Sequence, residues 1–282
     1  MKKLIDLHLH STASDGSMAP VELVEAAAKA GVSALALTDH DTTAGLGDAA
    51  AAAARLGLEF IPGVELSCST EYGQVDVLGY YAPLDDRAFE KKLADLKAAR
   101  DRRNALILEK LAGLGLPLSL EELMGEAGIT IGRPHIASLM VKRGYVKSVR
   151  EAFERFLGEG KSAYVPKEDF SPAGAVGLLA SVGAVPVIAH PMLVRAPWEW
   201  LDALVASLVP HGLAGLEAYH SEHDGRGVRS IVGLADKYGL IVTGGSDFHG
   251  AAKPHIFIGR GRGSLVVPAF VLERLEARRP FI

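Results

Sequence analysis

The sequence predicts an α/β barrel interrupted by a helical insertion, and three observations lead there. Short apolar runs alternate with amphipathic helical stretches along most of the chain. Residues 86–156 break that alternation with long helical patterns and little strand character. Histidines and carboxylates also fall at or just beyond the C-terminal ends of the apolar runs, and in a parallel α/β barrel those ends meet at one rim.

Taken in order, residues 4–10 read as a strand, with Leu4, Asp6, His8 and His10 on one face and Ile5, Leu7 and Leu9 on the other. Pro20 opens a helix at a first-turn position, where its missing N–H has no partner to lose, and Gly31 closes it. Residues 33–38 form a buried strand ending in Asp39-His40-Asp41. Residues 43–55 are alanine-rich and helical, 58–61 a strand leading to Glu65, and 74–80 a further strand. Within the insertion, a helix over 89–111 is followed by turns at 113–117 and 128–133. Alternation then resumes with strands at 184–189, 215–219 and 240–243 and helices at 198–208 and 226–238. The expected division is a barrel of residues 1–85 and 157–282 around an inserted unit of residues 86–156.

Composition narrows the function. The chain has 282 residues, 49% hydrophobic and 23% charged, the mixture of an ordinary globular protein. Thirty basic against 34 acidic residues give a formal charge of −4, without the cationic excess of a protein that grips long duplexes. Small anionic substrates remain open, because a metal site supplies positive field locally. Cys68 is the only cysteine, which excludes an intrachain disulfide and a thiolate zinc knuckle. The lysines and apolar residues at the N-terminus resemble a signal peptide only until Asp6, His8 and His10 interrupt them. No apolar stretch is long enough to span a membrane, so the expected location is the cytoplasm, with neither a membrane nor an obligate protein partner.

The chemistry lies in the polar residues at the strand ends. His8 and His10, two apart on a strand, project from one face and can reach one divalent ion. Asp247 and His249 repeat that spacing after Gly244-Gly245, where glycine lets backbone crowd the site. Glu65 follows Pro62-Gly63-Val64, a position from which a carboxylate can bridge two ions. His190 ends the apolar run 185–189, where an unpaired polar group costs on the order of 1–3 kcal/mol, so a metal or a carboxylate must meet it. Alone, each has an ordinary structural reading; together with Asp15 and His40 they repeat one theme at several strand ends.

In that order, His8-Leu9-His10, Asp15, Leu37-Thr38-Asp39-His40-Asp41, Gly63-Val64-Glu65, Ala189-His190-Pro191 and Gly245-Ser246-Asp247-Phe248-His249 resemble the PHP (polymerase and histidinol phosphatase) superfamily from end to end. Gly132-Arg133-Pro134-His135-Ile136-Ala137 and Ala163-Tyr164-Val165-Pro166 resemble its small bacterial phosphoesterases. These remove the 3′-phosphate of nucleoside 3′,5′-bisphosphates or degrade short RNA from the 5′ end. The resemblance implies a distorted (β/α)7 barrel with a helical insertion and two or three divalent ions, with manganese expected and iron or zinc as alternatives. It implies one ion on His8, His10, Glu65 and Asp247 and another on Asp15, His40 and His249. A middle ion would sit on Glu65, His190 and the residue near position 76. The family usually has histidine there and this chain has Asp76, which leaves two against three ions open.

The implied activity is phosphoester hydrolysis by metal-bound hydroxide, with Glu65 and Asp15 at the catalytic centre and a small phosphorylated nucleotide or short RNA as substrate. His220 and His223 are candidate acids, His223 also a phosphate ligand, and exposed loop histidines are the competing reading. Arg133, His135 and Lys161 are candidates for a second phosphate clamp; Arg133 could equally support helix geometry. Arg100, Arg102 and Arg103 read as solvated helix charge. The alternatives are a histidinol-phosphate phosphatase and an inactive metal-binding assembly module.

Overall fold

The computed structural model describes residues 4–127, 133–165 and 171–279. The chain divides into two compact units, Met1–Lys91 with Phe170–Ile282, and Lys92–Asp169. The second begins and ends later than the 86–156 drawn from the sequence. Gly132 and Pro166 of the two family-like runs, and most of the turn expected at 128–133, lie outside the described residues.

The first unit is built on one seven-stranded sheet whose order follows the chain, β1 to β7. The strands are β1 (Leu4–Asp6), β2 (Val32–Leu37), β3 (Glu59–Thr70), β4 (Gly73–Tyr80), β5 (Val185–Ile188), β6 (Gly215–His220) and β7 (Ile241–Gly245). The helices of the chain are α1 (Pro20–Lys29), α2 (Leu46–Leu56), α3 (Arg87–Gly113), α4 (Leu120–Ala127), α5 (Arg133–Lys142), α6 (Val149–Ala152), α7 (Pro172–Ser181), α8 (Trp198–Leu208), α9 (Gly225–Lys237) and α10 (Phe270–Glu276). Their ends follow local chemistry. Pro20 begins α1, and Gly31, with φ of +84°, turns the chain just past it. Asp224 caps α9 by accepting from the N–H groups of Arg226 (3.0 Å) and Gly227 (2.7 Å).

The strands bury both faces, as Ile5, Leu35, Leu37, Leu66, Leu78, Val187 and Leu216 show, which explains their nearly continuous apolar runs. The expected all-parallel order fails at one place: β4 runs antiparallel to both β3 and β5. Only Glu71 and Tyr72 separate β3 from β4. A parallel crossover needs a dozen residues or more, so the chain can only fold back as a hairpin. That hairpin carries β3 well past the end expected at residue 61, and Glu65 therefore lies inside a strand.

The first strand also differs from expectation, ending at Asp6. Beyond it the chain stays extended and is held on both sides. Thr38 N–H donates to Leu9 O (2.9 Å) on the β2 side; Leu7 N–H donates to Gly244 O (3.2 Å) and His10 N–H to Phe248 O (3.0 Å) on the β7 side. These bonds nearly close the sheet into a barrel, and residues 8 and 10 keep the shared face read from their spacing. Gly245 is required at this seam: a Cβ there would lie 2.3 Å from His8 N and Cβ.

The second unit has its own apolar core, including Ile107, Leu111, Leu123, Ile136, Met140 and Leu157. Its α6 passes into a π-helical turn at Phe153–Leu157. No helix among the described residues is long and apolar enough to cross a membrane.

Candidate metal centre

Nine polar side chains from six strands and the segments that follow them gather at the rim. Four donor atoms form the tightest group. His8 Nε2 lies 3.1 Å from His10 Nε2, 3.2 Å from Glu65 Oε2 and 3.7 Å from Asp247 Oδ1. His10 Nε2 lies 3.3 Å from Glu65 Oε2 and 3.4 Å from Asp247 Oδ1. Donors at about 2.0–2.1 Å from one tetrahedral ion stand about 3.3–3.4 Å apart, so these separations match a coordination shell. The tautomer agrees. His8 Nδ1 pairs with Glu217 Oε1 at 2.9 Å, and in the neutral ring this places the proton on Nδ1 and the Nε2 lone pair toward the other donors.

A second group is wider. His249 Nε2 lies 3.3 Å, and His10 Nδ1 3.6 Å, from Asp15 Oδ1; His40 Nε2 lies 3.8 Å from Asp15 Oδ2. His10 Nδ1 is buried and makes no hydrogen bond among the described residues, as a metal-facing nitrogen would. The set implied by the family is therefore joined by His10, one donor atom from each residue lying within 4.8 Å of the others. Asp15 is delivered by Asp39, whose carboxylate accepts from Ser11 N–H (2.7 Å), Ser11 Oγ (2.6 Å) and Ser14 Oγ (2.5 Å) and so folds the loop after His10.

Glu65 stands between the groups. Its Oε2 faces His8, His10 and His40 Nδ1 (3.4 Å), while Oε1 is 3.1 Å from His190 Nε2. His190 in turn is 3.9 Å from Asp76 Oδ2. Both oxygens of Asp76 accept from the Gln74 amide, at 2.8 and 3.0 Å. Burial, and then the charge of Glu65, raise the Asp76 pKa above the usual carboxylate range. Two of the converging residues, His190 and Asp247, carry backbone strain with φ of +27° and +56°, as does Asp41 beside His40 at +54°.

The protonation of the metal-free protein follows from this crowding. Burial opposes charge on His10 and His190, yet the carboxylates around them prevail and hold both at about 9. Burial would likewise raise Glu217, but His8, supported by His220 and His190, holds it at about 2. These are the charges a divalent cation would displace or neutralise, and the lone pairs and carboxylates present fit such an ion.

The structure also sorts the remaining candidates. His220 ends β6 with Nδ1 accepting from Glu222 N–H (3.2 Å), which leaves Nε2–H to donate to Asp247 Oδ2 (3.4 Å). His223 is not an exposed loop residue. Its Nδ1–H donates to Ala218 O (2.9 Å), its buried Nε2 makes no hydrogen bond among the described residues, and burial lowers its pKa. Arg133, His135 and Lys161 belong to the helical unit. There Arg133 donates to Leu157 O (3.3 Å), with its guanidinium carbon 5.7 and 5.9 Å from the Phe153 and Tyr164 ring centres.

Three contributors escaped the sequence reading. Glu217 is fully buried; one oxygen meets His8 and the other accepts from His190 N–H at 2.8 Å. A glutamate between buried Leu216 and Ala218 was the available signal, since a buried carboxylate needs partners. Lys253 Nζ reaches Asp247 Oδ2 at 2.6 Å, without a sequence signal. Asp6, raised to about 6 by burial, accepts from Ser246 N–H (2.7 Å) and Gly259 N–H (2.6 Å) and ties the seam behind His8.

Comparison with known proteins follows the same lines. The model of the PHP domain family matches residues 6–130. A 3′,5′-nucleoside bisphosphate phosphatase of Chromobacterium violaceum is 34% identical over 286 residues, covering 97% of this chain and 97% of its own. A 5′-3′ exoribonuclease of Haemophilus influenzae is 34% identical over 249 residues, covering 88% of this chain and 91% of its own. Among solved structures, an amidohydrolase from Chromobacterium violaceum with bound sulfate and no metal has a TM-score of 0.74 at 32% identity, covering 99% of this chain and 98% of that one.

Proposed function

Because the chain belongs to the PHP domain family, we propose that it is a metal-dependent phosphoesterase that removes the 3′-phosphate of nucleoside 3′,5′-bisphosphates, with short 5′-phosphorylated oligoribonucleotides as a second substrate class. The observation that carries this reading is the group formed by His8, His10, Glu65 and Asp247, whose donor separations of 3.1–3.7 Å suit one divalent ion.

We assign one ion to those four residues and a second to Asp15, His40 and His249, with His10 alongside. The mixture of imidazole and carboxylate suits manganese, with iron or zinc as alternatives. A middle position at Glu65, His190 and Asp76 is weaker, because His190 Nε2 and Asp76 Oδ2 stand 3.9 Å apart, wider than the separations in the four-donor group. When bound, such ions neutralise phosphoryl oxygens and lower the pKa of water. The protein's own groups do the rest. Glu65 directs its two oxygens to different neighbours and sets the spacing of the donor groups. Glu217 fixes the ring of His8, and Lys253 and His220 hold the outer oxygen of Asp247. His220 is thereby a positioning residue. His223, neutral with an available lone pair, accepts a proton or a hydrogen bond from substrate in that state.

In the helical unit, Arg133, His135 and Lys161 are assigned to the second phosphate. Arg133 also lies near two rings, so Arg133→Lys accompanies Arg133→Ala as the test. The KM for a bisphosphate is expected to rise about tenfold in the alanine variant, the worth of a charge-assisted hydrogen bond, with a smaller change for a monophosphate. Equal changes remove the clamp.

The deciding experiment is phosphate release by manganese-loaded protein from adenosine 3′,5′-bisphosphate, a 5′-phosphorylated RNA hexamer and histidinol phosphate. Preference for the first two supports the reading. Preference for histidinol phosphate, or full metal occupancy without turnover, overturns it.

A further inference from the structure

We propose that the tip of the β3–β4 hairpin and the first turn of α8 form a base-stacking platform for a single-stranded oligonucleotide whose scissile phosphate lies at Glu65. This inference rests on the phosphoesterase reading and adds a binding site to it.

The hairpin provides the reach. From Glu65 to Thr70, β3 continues five residues beyond the metal-facing position, roughly 17 Å at the usual strand rise, and Glu71 and Tyr72 form its turn. The loop after β5 leaves the same rim at His190 and leads into α8. The two segments meet at their aromatic residues. Trp200 Nε1–H donates to Glu71 Oε1 at 2.8 Å, and the Tyr72 and Trp200 ring centres are 5.0 Å apart at 58°. Both rings are therefore held in place before any ligand arrives, which reduces the ordering cost of binding.

The Tyr72 ring is 43% exposed and its partner Trp200 half-buried; Trp198, which opens α8, is 40% exposed, and Met192 and Leu193, in the short 3-10 turn after His190, are exposed as well. These four exposed apolar side chains lie on the hairpin tip and on the segment that leads from His190 into α8, the two segments that the Tyr72–Trp200 contact joins. The matching chemistry is flat and uncharged. Any nucleobase offers a π-face to tyrosine and tryptophan. A base resting near Tyr72 while its own phosphate sits at Glu65 would have to cross the length of the hairpin, farther than one nucleotide reaches. The platform therefore serves chains of several nucleotides and separates them from bisphosphate mononucleotides, which engage only the rim.

The test compares wild type, Tyr72→Ala, Tyr72→Phe and Trp198→Ala. Two measurements are made: the ratio of kcat/KM for a 5′-phosphorylated RNA hexamer to that for adenosine 3′,5′-bisphosphate, and quenching of tryptophan fluorescence as the hexamer is titrated into metal-free protein. Stacking contributes about 1–3 kcal/mol per base, so the ratio is expected to fall at least about fivefold in Tyr72→Ala and to be retained in Tyr72→Phe. Saturable quenching should weaken in parallel. An unchanged ratio, or quenching insensitive to Tyr72, overturns the platform. So does a concentration-dependent dimer that Tyr72→Ala dissolves, because the patch would then bind a second copy of the chain. If wild type hydrolyses neither substrate, the phosphoesterase reading falls, and the fluorescence titration still decides the platform.

Discussion

The donors around His8 and those around Asp76 lie side by side in one rim, yet the first group is the more closely braced. Glu217 orients His8, while Lys253 and His220 grip the outer oxygen of Asp247. Around Asp76 the separation widens to 3.9 Å from His190, and the carboxylate accepts from the Gln74 amide. The number of ligand-type residues is similar in the two places; what differs is how closely neighbouring side chains draw the donor atoms together. A metal centre depends on its supporting contacts as much as on its ligands.

The comparison can be broken at its strongest point. Asp247→Ala removes a donor of the four-membered group, and kcat is expected to fall on the order of a thousandfold, with manganese content dropping in elemental analysis. Retained metal and turnover would show that the four-donor group is not the centre. Glu217→Ala removes only the brace, and manganese affinity is expected to weaken about 10- to 100-fold by equilibrium dialysis. Glu217→Gln should lie between: the amide oxygen still accepts from His8, but the NH₂ group faces His190 N–H unfavourably. Equal effects of both variants would reduce Glu217 to a packing residue.

Acidity sharpens the contrast. His10 and His190 are held at about 9 in the metal-free fold, above the ordinary value of 6.5. Their contribution to stability is therefore fully present below about pH 6.5 and is lost as pH rises through about 9. Urea unfolding of metal-free protein should show declining stability across that interval. Manganese affinity should rise over the same range, up to roughly tenfold per pH unit for each proton released on binding. Stability that climbs with pH would contradict this balance. The smallest effect is expected at the less closely braced position: Asp76→His should add manganese at the middle site and change kcat less than about threefold. An unaltered metal content would mean that the side chain at position 76 does not set occupancy.

Much of this cluster is legible in the sequence. Spacing of two on an extended chain put His8 and His10 on one face, and a polar residue ending an apolar run singled out His190. The hairpin was missed for a specific reason. Residues 58–61 look like a complete strand, and the polar Ser67, Ser69 and Thr70 beyond them hide the continuation that pairing with β4 supports. Glu217 lacks a motif because its partner His8 is 209 residues away, whereas Lys253 meets Asp247 only six residues before it, through a turn that the sequence does not announce. A neighbour brought close only by closure leaves no local periodicity. Arg133 shows the converse: its guanidinium suggested phosphate, while its contacts with Leu157, Phe153 and Tyr164 also give it a packing role.

The seam between the first and last strands bears on how the protein is made. Asp247 N–H donates to His8 O at 2.9 Å, so the stitch that completes the sheet is formed by residues that also supply the four-donor group. A nascent chain carrying every residue up to the middle of β7 would still lack Asp247 and His249. Its early histidines would wait for partners more than two hundred positions downstream, the kind of distant pairing that forms slowly. The four-donor group is thus assembled only after Asp247 has been translated.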